Sequence, residues 1–435
     1  MDNAVLTVSD NGRYLLRAGK PFFWFADTGW NMFLRMSEEE IDVYLRNRLE
    51  KGVNVIQSVL IYQVDLSRRA SLPPAKRDTS KEEYWQFVDH ILDRMDRLGL
   101  YAGLLPVWGS NVKNGSMDME KMEAYAHFLG RRFQSRNNII WILGGDVRGD
   151  VGEDIFKREG EILKQFNPER LMTYHPFGRT SSSMWFHECE WLDFNMFQSG
   201  HRRYDQAQLG EWDDNLAKEE FFGEDNWRYV LRDHAKTPVK PTIDGEPSYE
   251  AIIQGLHNPK NPYWEEWDAR RYAYWSVFAG AAGHTYGNNA VMQARTSPDD
   301  PAAYSVRELM SDAIHHPGIA QIGHLKHLME QVDFIHGVPR DDLLLYGQKE
   351  RHHRIAVFAG ADYIFCYDYS GDDFMLDLSA YAEKTMSVYW MDPRDGVLSY
   401  AGRVKGETRH VFSPAIRREK ANDWVLVLKE ETGND

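Results

Sequence analysis

Apolar residues follow two alternating rhythms over the first three quarters of the chain and a single one over the last. Runs such as VNVIQSVLIY (53–62), YAGLLPVWG (101–109) and NNIIWILGGD (137–146) are apolar almost without a break, as expected of strands buried on both faces. Between them the apolar positions recur three or four apart, the spacing of a helix with one buried face. SEEEIDVYLRNRLEKG (37–52) predicts such a helix: Ser37 caps it, Glu40 completes a capping box, Ile41, Tyr44, Leu45 and Leu49 form its face, and Gly52 ends it. Further helices are predicted around 82–98, 122–133, 155–166, 227–234 and 269–278. The remaining buried runs are PFFWFADTGW (21–30), RLMTYHPFG (170–178), WLDFNMFQSGH (191–201), KPTIDGE (240–246) and AAGHTYG (281–287). A hairpin with Asn11-Gly12 as its turn precedes them all.

Eight strand-then-helix units of this kind predict an α/β fold, a closed (β/α)8 TIM barrel; an open doubly wound sheet is the alternative. No glycine-rich phosphate fingerprint follows the first strand, where ADTGWNMF stands. After a helix near 317–332 the pattern becomes short strands parted by turn signals about every ten residues, which predicts a small C-terminal all-β sandwich. The expected domains are 1–335 and 336–435.

Composition narrows the function. With 43% hydrophobic and 27% charged residues and no apolar run of membrane-spanning length, the chain reads as globular with no membrane partner. A net charge of -15 disfavours nucleic acid. The N-terminus shows no signal peptide, so a cytoplasmic location is expected, and two distant cysteines, Cys189 and Cys366, give no disulfide framework. The 14 Trp supply flat surfaces on which sugars could stack, although most aromatics fill cores.

Barrel active sites lie at the C-terminal ends of the strands. Asp146 ends the fourth strand and Glu246 the seventh, so two carboxylates meet across one mouth. Such a pair hydrolyses glycosidic bonds; with retention, one attacks and the other donates and then accepts a proton, about 5 to 5.5 Å away. An Asp at a strand-to-helix turn also serves as a helix N-cap, and Asp244, two residues before Glu246 on the same face, is a supporting or rival carboxylate.

The segments NGRYLLRAGKPFFWFADTGW, IIWILGGD, PTIDGEPSYE and VYWMDPRDG together resemble the retaining clan A glycoside hydrolases, and within them the apiosidase-like enzymes of family 140. The resemblance spans nearly the whole chain. It implies Asp146 as acid/base, Glu246 as nucleophile, and a C-terminal sandwich of the collagen-binding type. Where the commoner clan pattern has Asn-Glu after the fourth strand, Gly145-Asp146 stands here.

Strand-end residues expected to hold a sugar are Asp27, Trp30, Tyr62, Gln63, Trp108, His175, Gln198, His201, Asp244 and His284, each of which could instead be packing or structural hydrogen bonding. Arg148, Arg202 and Arg203 could read an acidic neighbour of the scissile sugar or serve as solvated surface charge. The loops 63–80 and 200–224 would shape the pocket. No His-x-His pair stands near ADTGW and the HH pairs at 315 and 352 lie off the strands, so no metal or other cofactor is expected. The expected activity is an O-glycosyl hydrolase, exo-acting on oligosaccharide or glycan, with another linkage (arabinofuranoside, rhamnoside or β-glucan) or a non-catalytic carbohydrate-binding protein as alternatives.

Overall fold

The computed structural model describes residues 3–68, 71–206, 223–347, 350–406, 408–414 and 416–431. Parts of both expected pocket loops, 69–70 and 207–222, lie outside the described residues.

Eight parallel strands form the barrel: β1 (Trp24–Thr28), β2 (Val55–Ile61), β3 (Tyr101–Val107), β4 (Ile139–Gly144), β5 (Met172–His175), β6 (Asn195–Gln198), β7 (Thr242–Asp244) and β8 (Gly283–Tyr286). Their order runs from β5 through β4, β3, β2, β1, β8 and β7 to β6, whose far edge takes an antiparallel strand, Thr180–Ser181. The barrel closes between β5 and β6 without a regular ladder: Asp193 N donates to Met172 O at 2.9 Å, and Thr173 Oγ1 to Phe194 O at 2.7 Å. Every residue of β3 and β4 is buried, which is why those runs show no polar alternation.

The helices around it are α1 (Glu38–Glu50), α2 (Glu82–Arg97), α3 (Met119–Phe133), α4 (Glu153–Phe166), α5 (Trp227–His234), α6 (Glu266–Phe278) and α7 (Pro317–Glu330). The capping box at Ser37 forms as predicted, with Glu40 N donating to Ser37 Oγ at 3.2 Å and Ser37 N to Glu40 Oε2 at 2.7 Å. The buried face of α1 differs at one place, because Leu49 is exposed and Arg48 is buried instead. The fifth unit also departs from the repeat. Between β5 and β6 stands no α-helix but a 3-10 turn, Ser182–Met184, and the buried rings of Phe186 and Trp191 fill the space, Trp191 lying on Gly160 of α4.

Residues 338–430 form a six-stranded and a three-stranded sheet. The inner strands of the larger sheet, Ile355–Ala359 and Tyr363–Asp368, are buried on both faces, whereas its edge strand Leu398–Lys405 is mostly exposed. Ala356, Phe358, Phe365 and Tyr367 join the barrel core, while Ile355, Val357, Ile364 and Cys366 face the smaller sheet with Phe374, Leu376 and Phe412. Barrel and sandwich meet at α6, where Tyr274 stacks on Tyr367 at 4.4 Å and Arg270 makes two 2.8 Å bonds to Asp423. Among the described residues no helix is long and apolar enough to cross a membrane.

Candidate active site

The segment Gly144-Gly145-Asp146 ends β4 with three successive residues in the left-handed region, at φ 81°, 109° and 50°. Glycine accepts this freely and Asp better than most residues. Space demands glycine as well: a Cβ on Gly144 would stand 2.6 Å from His175 O, and one on Gly145 2.8 Å from the Trp108 ring. The turn puts Asp146 into a cavity of about 70 Å³ that Glu246 also lines, together with Trp30, Tyr62, Trp108, Gln198, His201 and Arg202. An outer vestibule of about 760 Å³ continues from it, sharing Asp146, Leu72 and Tyr304 and walled by Pro73, Pro74 and Pro301.

Glu246 is held on both oxygens. His201 Nε2 lies 3.0 Å from Oε1 as a hydrogen bond, and His175 Nε2 lies 3.2 Å from Oε2 as a less well aligned contact. The ring protons follow from the opposite nitrogens. Nδ1 of His201 accepts from Tyr249 N and Nδ1 of His175 from Asp146 N, both at 3.4 Å. Each ring therefore presents its Nε2–H to Glu246. From behind, Gln57 Nε2 of β2 donates to Gly245 O at 2.9 Å, and Glu246 O accepts from Gly200 N at 3.0 Å.

These surroundings split the two carboxyl groups. Burial raises the pKa of Glu246, but hydrogen bonds and charge from His175 and His201 prevail and bring it down to about 2. Asp146 is pushed up to about 7, first by enclosure within the cavity walls and then by the charge of Glu246, with His175, Gln198 and Arg202 opposing. Asp146 is nonetheless an exposed residue whose accessible side opens into the cavity and vestibule, so water screens part of this rise. At neutral pH one group is ionised beside another that can still carry a proton, the division of labour that acid-assisted displacement needs.

Three rings form one wall. Trp30 meets Trp108 edge-on at 5.4 Å, Trp108 meets Tyr62 at 5.3 Å, and Trp30 Nε1 is pinned by Tyr249 OH at 3.1 Å. Flat apolar faces beside a few polar groups suit the C–H face of a sugar.

Of the residues predicted from sequence, Asp146, Glu246, Trp30, Tyr62, Trp108, Gln198 and His201 line this cavity, and His175 lies directly beneath Glu246. Four others do not line it. Asp27 is fully buried, with Oδ2 held by Arg48 Nε at 2.6 Å and Tyr44 OH at 2.5 Å. Gln63 turns into its own loop, where it donates to Asp65 O and Arg68 O. Asp244 is turned to Ser199, whose Oγ donates to it at 2.6 Å, and burial pushes its pKa up to about 7. His284 is buried with neither ring nitrogen partnered among the described residues, and burial takes its pKa down to about 3. Of the three arginines only Arg202 lines the cavity, since Arg148 pairs with Asp150 and Arg203 with Asp205. Sequence reading missed Gln57, Tyr249 and Tyr304. Gln57 was the one detectable signal, standing with Ser58 as an uncharged polar pair inside a mostly apolar buried run; the others lie in loops without periodicity. Among the described residues no three or more His, Cys, Asp or Glu side chains are arranged to hold a metal ion.

A closed barrel with an aromatic-walled pair of carboxyl groups at the ends of β4 and β7 defines a (β/α)8 glycoside hydrolase. Residues 9–336 match the family described as "Apiosidase-like, catalytic domain", and 338–429 match "Putative collagen-binding domain of a collagenase". The chain belongs to the apiosidase-like family. A solved glycoside hydrolase is 38% identical, covering 99% of this chain and 98% of its own, with a TM-score of 0.91. A structure described as a glycoside hydrolase family 5 protein from Bacteroides vulgatus is 37% identical over 98% of this chain and 93% of its own, with a TM-score of 0.90. A further structure from the same organism, described as "a putative glycoside hydrolase", shares the fold at 15% identity and a TM-score of 0.67, covering 98% of this chain and 82% of that one. A search of curated proteins finds no match to the chain.

Proposed function

We propose that this glycoside hydrolase is a retaining, exo-acting enzyme that removes a terminal sugar, with apiose as the first candidate, from plant-type oligosaccharides. A Glu246 oxygen attacks the anomeric carbon as the glycosidic C–O bond breaks, and the Asp146 proton passes to the departing oxygen. Water then attacks the glycosyl ester, giving its proton to Asp146 and releasing the Glu246 carboxylate.

The observation that carries this reading is the opposite tuning of two carboxyl groups in one cavity, Glu246 lowered by two histidine donors and Asp146 raised by enclosure. The narrowness of the inner cavity beside the wider vestibule supports removal of one terminal residue. Arg202 in the wall suits a leaving group that bears a carboxylate. Apiose enters through the family name alone, and an arabinofuranoside, rhamnoside or β-glucan linkage is the competing choice within the same chemistry.

The test is sugar release from a panel of pectic and hemicellulosic oligosaccharides by the wild type, with anomeric configuration followed by NMR in the first minutes. A single released sugar of retained configuration supports the proposal and names the substrate. Initial release of the opposite anomer overturns retention, and release of internal fragments overturns exo-action. Binding of glycans with no release from any member of the panel overturns the assignment of Asp146 and Glu246 to catalysis.

A further inference from the structure

The segment bearing His201 and Arg202 is anchored at its near end by the barrel and at its far end by the C-terminal domain. Near β6, Gly200 N donates to Glu246 O at 3.0 Å and Gly255 N donates to His201 O at 2.8 Å. Two residues past Arg202, Tyr204 N donates to Glu224 Oε1 at 2.8 Å and Tyr204 OH to Asp225 Oδ1 at 2.9 Å. Glu224 is nearly inaccessible, and its other oxygen meets Arg271 of α6 at 2.8 Å and His352 Nε2 at 2.6 Å.

His352 lies in the 3-10 turn Arg351–His353, just ahead of the strand Ile355–Ala359 of the larger C-terminal sheet. The same turn reaches Tyr204 directly: the Arg351 guanidinium is 5.0 Å from the Tyr204 ring centroid and the His352 ring 5.4 Å from it. One turn of the C-terminal domain therefore grips both the carboxylate and the ring that end the active-site segment. The grip involves charge. Burial alone would raise the Glu224 carboxyl, yet Arg271 and His352 hold it below its ordinary range. Removing one donor from a buried carboxylate loosens whatever else that carboxylate holds, here the backbone N–H of Tyr204.

We propose that His352 is a positioning residue of the active site: through Glu224 and Tyr204 it holds the His201–Arg202 segment against the cavity, making the C-terminal domain part of the catalytic apparatus. This rests on the glycosidase reading above, in which His201 steadies Glu246. His352 itself is 46% exposed on its side chain, so its replacement leaves the core intact.

The experiment compares full-length wild type, His352→Ala and His352→Gln, the last keeping an N–H donor near the Nε2 position. Four quantities are measured: kcat and KM for sugar release, Tm, and amide hydrogen exchange in peptides spanning 199–206. For His352→Ala we expect kcat to fall roughly tenfold with KM within about threefold, because the loss falls on a group acting in the transition state. Exchange should quicken in 199–206 and stay unchanged in α6 and β8, with Tm nearly constant. His352→Gln should restore most of both. Unchanged kcat and unchanged exchange in His352→Ala overturn the proposal. So does a Gln variant as slow as the Ala variant with faster exchange throughout the chain, which marks a structural role. If the wild type releases no sugar, the glycosidase reading fails by itself. The exchange data then still decide whether His352 holds the segment, and unchanged exchange overturns that as well.

Discussion

Asp27 and Glu246 stand at equivalent places in the barrel, each in or just past the last turn of a parallel strand, each buried, each gripped by two neighbours. Their neighbours make them opposites. Asp27 is closed off by residues of the helix that follows its own strand, Arg48 and Tyr44 of α1, and Oδ1 finds no partner among the described residues. Glu246 is gripped by histidines from two other strand ends, β5 and β6, and it lines the cavity. A strand-end carboxylate paired with a cation from its own helix is a strut, whereas one held by donors from across the mouth is available to a substrate.

The sharpest way to break this contrast is to remove both carboxylates in turn, starting with Glu246. Glu246→Ala should lower sugar release on the order of ten-thousandfold, since loss of the nucleophile removes the covalent route. Tm should fall modestly, because the contacts from His175 and His201 that outweigh the burial of Glu246 lose their partner. Added azide should restore turnover and give a glycosyl azide of inverted configuration. Restoration without inversion, or a loss of folding equal to the loss of activity, would put Glu246 with Asp27 among the struts.

Asp146 sharpens the same contrast from the opposite side of the mouth. The active form needs Asp146 protonated and Glu246 ionised, so kcat/KM should stay level through mildly acidic pH. It should then fall about tenfold per unit as pH rises past about 7, where Asp146 gives up its proton. Asp146→Ala should erase that limb and slow substrates with poor leaving groups by roughly 10²- to 10⁴-fold, while an activated aryl glycoside loses much less at the first step. A basic limb that survives in Asp146→Ala belongs to another group and removes Asp146 from the acid role. The same raised carboxyl also acts on stability. Its proton is bound more tightly in the folded chain than in the unfolded one, so its contribution is complete below about 4 and is lost as pH climbs towards 7.

For Asp27 the expectation is reversed. Asp27→Ala leaves Arg48 charged in the core, and breaking a buried pair in this way costs about 3–5 kcal/mol. Urea unfolding should show that loss while kcat per folded molecule stays within about threefold of wild type. A variant of normal stability and low activity would place Asp27 in the site, where sequence reading first put it.

How much of this was legible follows from what each signal measures. The barrel was visible because parallel strands buried on both faces leave uninterrupted apolar runs, and α1 because Ser37 and Glu40 satisfy each other's backbone within four residues. Those are local facts. The inward turn of Arg48 was hidden, since helical spacing favours the apolar Leu49 and says nothing of an acid waiting on β1. The missing helix after β5 was hidden for a similar reason: the rings of Phe186 and Trp191 are apolar whether they belong to a helix or replace one. Asp146 and Glu246 were legible as strand-end carboxylates, and Gly144-Gly145 marked a turn. That His175 and His201 both serve Glu246 depends on β5, β6 and β7 converging, which no window along the chain contains.

The smallest predicted effect tests that same limit on a histidine. His284 is the second of the four residues of β8, whereas His175 ends β5, and it has no partner among the described residues and does not line the cavity. Removing an unpaired buried polar group recovers about 1–3 kcal/mol, while an imperfect apolar fit costs up to about 1.5 kcal/mol. His284→Leu should therefore be near neutral or slightly stabilising at pH 7, with kcat/KM unchanged. Acid should separate the two proteins. Burial lowers the His284 pKa from 6.5 to about 3, so the wild type's advantage from a neutral ring is present above about 6.5 and is lost as pH falls towards 3. The leucine variant has no such proton to take up, and its relative stability should grow by about 1.4 kcal/mol for each pH unit below about 6. Denaturant midpoints measured at pH 7, 6 and 5 read this directly. A flat difference across that range, or a tenfold fall in kcat/KM at pH 7, would mean that His284 has a polar partner in the working enzyme and belongs with His175 and His201 after all.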